Sequence, residues 1–107
     1  MAIISPPVNP IKIGVPVIKA GITAGELQEP SPTLDTLVTL TVFTTSTVAG
    51  IVLPTVEGQA TRNVIIPAIT GEICLTTTFV VKKGGKWKWE VNGGAPRQVD
   101  AVYQTLD

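Results

Sequence analysis

The sequence lacks histidine altogether and contains a single cysteine, Cys74. Without histidine, the Ser-His and Cys-His nucleophile systems cannot form, and the commonest side-chain ligand for metals is missing. One cysteine cannot form an intrachain disulfide framework, so stability must come from packing or from assembly. These two absences exclude much hydrolytic chemistry and any scaffold held by internal disulfides.

Charged residues are also scarce, at 15% of the chain, and eight basic residues balance eight acidic ones. A neutral chain lacks the basic surplus that phosphate binding uses, so we expect no nucleic-acid partner. Five carboxylates are scattered singly, as solvated surface charges are, rather than paired for acid-base chemistry: Asp35, Glu57, Glu72, Glu90 and Asp100. We therefore predict no enzyme activity, no cofactor and no metal site.

The chain is rich in β-branched residues, since 40 of its 107 residues are Thr, Val or Ile. Such side chains pack well on a pleated sheet, and this length supports one core. Six to eight short strands with frequent turns predict an all-β fold, a single antiparallel β-sandwich or jelly-roll-like domain. We assign residues 1–32 to an extended Pro-rich N-terminal arm and hinge, and residues 33–107 to the β-sandwich body.

Repeated prolines exclude a helix from the arm and favour extended backbone. Alternate residues from Ile11 to Val17 are apolar, which predicts one apolar face at the strand period. This face should lie either on the chain's own body, as an edge strand, or on a neighbouring protein. In the second case we expect these interface residues: Ile3, Ile4, Val8, Ile11, Ile13, Val15 and Val17. Deleting residues 1–20 should then abolish attachment and leave the sandwich folded.

Capping-box spacing between Thr23 and Glu26 predicts a short helical turn after the arm. In the body, alternating patterns predict strands over residues 34–44, 73–81, 86–91 and 97–106, and a further apolar run over 64–69 is confined to an edge or bulge by Pro67.

A hairpin is predicted between residues 73–81 and 86–91. A three-residue loop of residues 83–85 would pair Val81 with Trp87 and Phe79 with Trp89, with Gly85 in the left-handed conformation. A two-residue loop would set apolar residues against charges.

The two tryptophans allow two interpretations. Trp87 and Trp89 lie two residues apart and therefore share one face, where they could pack in the core or form a platform for a sugar or peptide. We expect the core. Cys74 lies on the opposite face of its strand from Phe79, and we expect it to behave as a small buried hydrophobe.

No membrane span or secretion signal is expected. The stretch of residues 36–56 is uncharged and long enough to span a bilayer, but seven threonines, Ser46 and Pro54 interrupt its apolarity. Near the N-terminus, prolines interrupt the apolar run that a signal peptide would need.

In its length, its β-rich composition and its arm over residues 3–17, the chain resembles the small decoration or cement proteins of tailed-bacteriophage heads. Those proteins fasten capsid subunits together from outside, often as β-rich trimers. The resemblance implies a structural protein on the capsid exterior, made in the host cytoplasm. Its partners would be the major capsid protein or other virion subunits, and it would form a homo-oligomer, with a trimer favoured.

Two other functions remain open. The chain could be a ligand-binding β-sandwich for carbohydrate or peptide, using Trp87, Trp89 and Tyr103. It could also be another phage structural part, such as a neck, tail or fibre subunit.

Overall fold

The structure is a computed structural model that describes residues 12–45, 47–57 and 63–107. Within these ranges the chain forms strands and no helix. The strands are β1 (Val17–Lys19), β2 (Asp35–Thr44), β3 (Gly50–Val56), β4 (Val64–Ile66), β5 (Ile73–Val81), β6 (Trp87–Gly93) and β7 (Gln98–Leu106). The prediction of an all-β fold is confirmed.

The strands form two antiparallel sheets packed as a sandwich. Sheet A has the strand order β1-β7-β2-β5, and sheet B has the order β4-β3-β6. Alternation along β2 sends Val38, Leu40 and Val42 into the core, where they are fully buried. Their partners on β7 point the same way, because residues directly opposite each other share a face of the sheet. The core therefore lies between the sheets.

The prediction of a hairpin between β5 and β6 is wrong. The two strands lie in different sheets, and residues 82–86 carry the chain from sheet A to sheet B. The predicted cross-strand pairs of Val81 with Trp87 and Phe79 with Trp89 therefore do not form, and Phe79 instead meets Trp87 as an edge-to-face ring pair across the core, with centroids 5.4 Å apart. Gly84, rather than Gly85, has the positive φ of 72° that the crossing requires.

β5 instead pairs along its whole length with β2, from Thr36 opposite Val81 to Thr44 opposite Ile73. Strict alternation predicts which side chains share a face of each strand. It does not distinguish two strands paired in one sheet from two strands that face each other across a core, because both arrangements satisfy the same alternation.

The segment between β1 and β2 belongs to the sandwich. Ile22 is buried in the core, and its N–H donates to the Val99 carbonyl. Further along, Gln28 exchanges two backbone hydrogen bonds with Trp87 of β6. The predicted helical turn near Thr23 is absent from this part of the structure. A β-turn occurs there instead, with Gly25 at a φ of 79°.

Candidate functional site

Residues 12–19 run along the outer side of β7. Lys12 exchanges two backbone hydrogen bonds with Asp107, the Gly14 N–H donates to the Thr105 carbonyl, and β1 then pairs with β7. This part of the predicted arm is therefore an edge of sheet A, as the first of the two interpretations proposed.

The same edge leaves its apolar side chains in solvent. The exposed fractions are 60% for Ile13, 85% for Val15, 51% for Val17 and 69% for Ile18. We call these four residues the apolar edge. Isolated exposed apolar side chains are ordinary, but four within six consecutive residues concentrate apolar surface along one sheet edge, as surfaces that bind partners do.

Strict alternation breaks down within this edge. The chain advances four residues from Ile13 to Val17, whereas the partner strand advances three, from Leu106 to Tyr103. One extra residue is the mark of a β-bulge, and Pro16, which has no N–H to donate, lies inside it. Ile13 lies opposite Leu106 and Val17 lies opposite Tyr103, three residues apart on β7, so Ile13 and Val17 point to opposite faces of the sheet. The prediction that alternate residues of the arm share one face is therefore wrong across the bulge. Ile18 was not among the predicted interface residues, although an isoleucine directly after Val17 was a signal in the sequence that could have added it.

The structure therefore describes only part of the predicted interface. Ile13, Val15 and Val17 lie together on the apolar edge. The remaining four predicted positions, Ile3, Ile4, Val8 and Ile11, lie outside the described residues.

Titratable groups do not gather into a catalytic or metal-binding cluster in the part of the chain that the structure describes. No group of three or more Cys, Asp or Glu side chains there could hold a metal ion. Several carboxylates form exposed ion pairs instead, between Glu72 and Arg97, Glu90 and Lys88, and Asp35 and Lys82. Such pairs contribute little stability and perform no chemistry by themselves.

The Asp35 carboxylate accepts a backbone hydrogen bond from the turn between the sheets. Its Oδ1 accepts a hydrogen bond from the Lys83 N–H at 2.9 Å, and this bond lowers the pKa of the carboxyl, with the nearby Lys82 ammonium acting in the same direction. The contact ties the start of β2 to the turn between the sheets. Its position indicates a structural role.

The three aromatic residues considered as a binding platform are core residues. Trp87 is fully buried, and Trp89 and Tyr103 are nearly so. The Trp89 indole N–H donates to the Ile22 carbonyl at 3.0 Å. The interpretation of Trp87 and Trp89 as core residues holds, and the rings are not available as a platform for a sugar or peptide.

A shallow depression of about 440 Å³ lies where residues 20–24 approach β7 and Trp89. Its wall includes Arg97, whose guanidinium pairs with Glu72 and lies 6.0 Å from the centre of the Phe43 ring. The depression is largely open to solvent and holds no cluster of converging polar side chains. It lacks the enclosure and the placed polar groups of a small-molecule site.

Cys74 is exposed on the outer face of sheet A, so the expectation of a buried thiol is wrong. The reason is that β5 is an edge strand whose outward side chains have a neighbour on one side only. Opposite Cys74 on β2 lies Phe43.

Within the described ranges, no helix is long and apolar enough to cross a membrane. Residues 36–56, the uncharged stretch considered above, supply β2 and β3 instead. No protein-family model matches the chain, and neither the curated proteins nor the solved structures include a significant match.

Proposed function

We propose that this protein is a non-catalytic structural subunit of a virion, which binds and stabilises neighbouring capsid subunits through its apolar edge. The exposure of Ile13, Val15, Val17 and Ile18 on one continuous stretch is the observation that supports this proposal. The virion and the capsid exterior as its location come from the resemblance to phage decoration proteins.

Burial of the apolar edge would supply the binding free energy. Fully burying an aliphatic side chain of this size is worth about 1.5–3 kcal/mol relative to leaving it exposed. Burying the remaining exposed area of these four side chains would offset part of the cost of association. A partner that binds only the folded chain would also stabilise the sandwich by mass action.

The low charge of the outer face of sheet A fits the same role. Pairs of threonines stand opposite each other there, Thr39 with Thr78 and Thr41 with Thr76. Asp35 and Asp100 are exceptions: Asp35 pairs with Lys82, and the Oδ1 of Asp100 accepts hydrogen bonds from the Gly21 N–H and from the Gln98 side chain. An almost uncharged face can approach another protein with little desolvation of charge.

A ligand-binding sandwich receives no support from a specific contact, because its three proposed aromatic residues are buried. A neck, tail or fibre subunit could use the same apolar edge. Locating the chain within virus particles distinguishes these alternatives from a capsid subunit.

Side-chain substitution is a sharper test than deleting residues 1–20, because that deletion also removes β1 and its hydrogen bonds to β7. The test variant is Ile13→Ser/Val15→Ser/Ile18→Ser in the full chain. The control is Ile65→Ser, which changes an isoleucine with 71% exposure on sheet B. Circular dichroism should show both variants folded.

Attachment is measured by purifying virions from cultures that produce each chain and quantifying the amount of that chain in the virions. Immunogold labelling then shows where on the particle the chain lies. The wild type and the Ile65→Ser control should be present on the capsid exterior, and the triple variant should be strongly depleted. A chain missing from purified virions, or a triple variant retained at wild-type level, would contradict the proposal.

A further inference from the structure

Over residues 12–45, 47–57 and 63–107 the sandwich has four sheet edges, and three of them carry a feature that blocks pairing with another chain. Pro16 and a bulge interrupt the edge at β1. β4 is only three residues long and is followed by Pro67. The edge at β6 is covered by residues 25–28, which hydrogen-bond to Trp87 and Trp89. Proline, bulges, short length and covering segments are the usual means by which proteins protect sheet edges.

β5 has none of these features. Its nine residues contain no charge, proline or glycine. Among the described residues its backbone pairs with β2 on one side and with no strand on the other. Leu75 and Phe79 on its inner face are only half-buried, although both contact the core. A long, uncharged, extended edge with part-exposed apolar side chains is a template for adding another strand.

We infer that β5 pairs antiparallel with β5 of a second copy of this chain, about a two-fold axis at Thr77. The strand is self-complementary in this register. Leu75 would face Phe79 of the partner subunit, and Thr76 would face the partner's Thr78. A two-fold contact repeats each pair, so every favourable contact occurs twice.

Alternation is preserved in this register, because a residue always meets a partner residue from the same face of the sheet. The half-buried inner residues of both copies then cover each other. The threonines of both outer faces continue across the contact. The result is one eight-stranded sheet with the two copies of sheet B on the same side.

Charge at the two ends of β5 favours this register over its neighbours. Glu72 precedes the strand and Lys82 follows it, and both side chains are exposed. With the axis at Thr77, Glu72 lies opposite Lys82 of the partner subunit, once at each end of the paired strands. Shifting the strands by two residues would place Glu72 opposite Val80 or Gly84 of the partner subunit and lose both charge pairs.

This contact goes beyond the proposed function and uses a different edge. Self-pairing of β5 gives a dimer, whereas attachment to a capsid would use the apolar edge on the opposite side of sheet A. Either can therefore fail without the other.

Native mass spectrometry and light scattering of the full chain, over a concentration series, test the contact. The wild type should be a dimer that dissociates on dilution. Thr76→Lys/Thr78→Lys places lysines opposite lysines in the two-fold register and should raise the dimer dissociation constant about tenfold or more. The matched control Thr39→Lys/Thr41→Lys changes the same face on the central strand β2 and should leave the dimer intact.

Charge complementation separates a lost contact from a damaged fold. Thr76→Glu/Thr78→Glu should also raise the dimer dissociation constant when it is alone, but mixing it with the lysine variant should give a heterodimer. A monomeric wild type, a trimer, a dimer unaffected by the β5 lysines, or variants that fail to pair when mixed would each overturn the inference.

The single native thiol tests the register. Cys74 lies opposite the partner's Val80, so Val80→Cys should form disulfide-linked dimers under mild oxidation with copper phenanthroline. The two native thiols would be about 20 Å apart, six residues along the strand, and the wild type should not crosslink. Crosslinking in the wild type, or none in Val80→Cys, would overturn the two-fold register at Thr77.

Discussion

The indole N–H of Trp87 donates a hydrogen bond to the hydroxyl of Tyr103 at 3.0 Å, and this buried bond joins the two sheets. Trp87 belongs to β6 in sheet B, and Tyr103 belongs to β7 in sheet A. The two rings also meet edge to face, with centroids 6.4 Å apart. A polar contact in the core therefore fixes how the sheets lie on each other, in addition to the non-directional packing around it.

Removing the Tyr103 hydroxyl should destabilise the protein. Tyr103→Phe leaves the buried Trp87 N–H without a partner, at a cost of about 1–3 kcal/mol in the free energy of unfolding, measured by urea denaturation. In a Trp87→Phe background the same change should cost much less, because no indole N–H remains to be orphaned. Equal costs in the two backgrounds would show that the bond contributes nothing.

Tyr103 should also make stability fall at alkaline pH. Burial raises the pKa of its hydroxyl above 10.0, and the Trp87 hydrogen bond opposes this only in part. A raised folded-state pKa means that folding favours the neutral phenol. This stabilisation is complete below pH 10 and is lost as the pH rises through the folded-state pKa.

Tyr103 is the single tyrosine of the chain, so tyrosinate absorbance reports its titration directly. The midpoint should lie above 10 in the folded protein and return to about 10 in urea. The control is Tyr103→Phe, whose unfolding free energy should depend less on pH in this range. A midpoint at or below 10 in the folded protein would contradict the burial of the hydroxyl.

Thr36→Val should stabilise the protein. The Thr36 hydroxyl is buried and has no hydrogen-bond partner among the residues that the structure describes. Replacing it with a methyl group of similar shape removes the desolvation cost of an unpaired polar group, so the free energy of unfolding should rise by about 1 kcal/mol.

Thr44 provides the matched control, because it is equally buried on the same face of β2 and does have an interaction partner. Thr44→Val should bring no comparable gain. If Thr36→Val were as unfavourable as a typical core substitution, the hydroxyl would have a partner after all.

The two tryptophans should be protected from solvent. Since Trp87 and Trp89 are buried, acrylamide should quench their fluorescence several-fold less in the folded protein than in urea. Glycans or peptides should leave the quenching unchanged. Strong quenching that a ligand reduces would revive the ligand-binding alternative.

Local sequence patterns predicted individual strands better than they predicted the partners of those strands. The predicted strand over residues 34–44 corresponds to β2, and that over 97–106 corresponds to β7. Pairing could not be read in the same way. Turn signals at Gly84 and Gly85 favoured a hairpin, yet they serve a connection between sheets.

Only part of the candidate site could be predicted from the sequence, for a similar reason. An apolar run such as residues 13–18 contains side chains that burial would stabilise, but whether another part of the chain covers them depends on the tertiary structure of the whole sandwich. The open edge at β5 was readable only once β2 was known to be its neighbour on one side.

The amino-acid sequence by itself determined the all-β class, the faces of the main strands and the lack of histidine-based chemistry, because these follow from residue type and a two-residue period. The tertiary structure decided which strands share a sheet, that Cys74 and the apolar edge are exposed, and that Trp87 reaches Tyr103. Those features depend on contacts between distant parts of the chain, and local periodicity does not encode which distant strand becomes the partner.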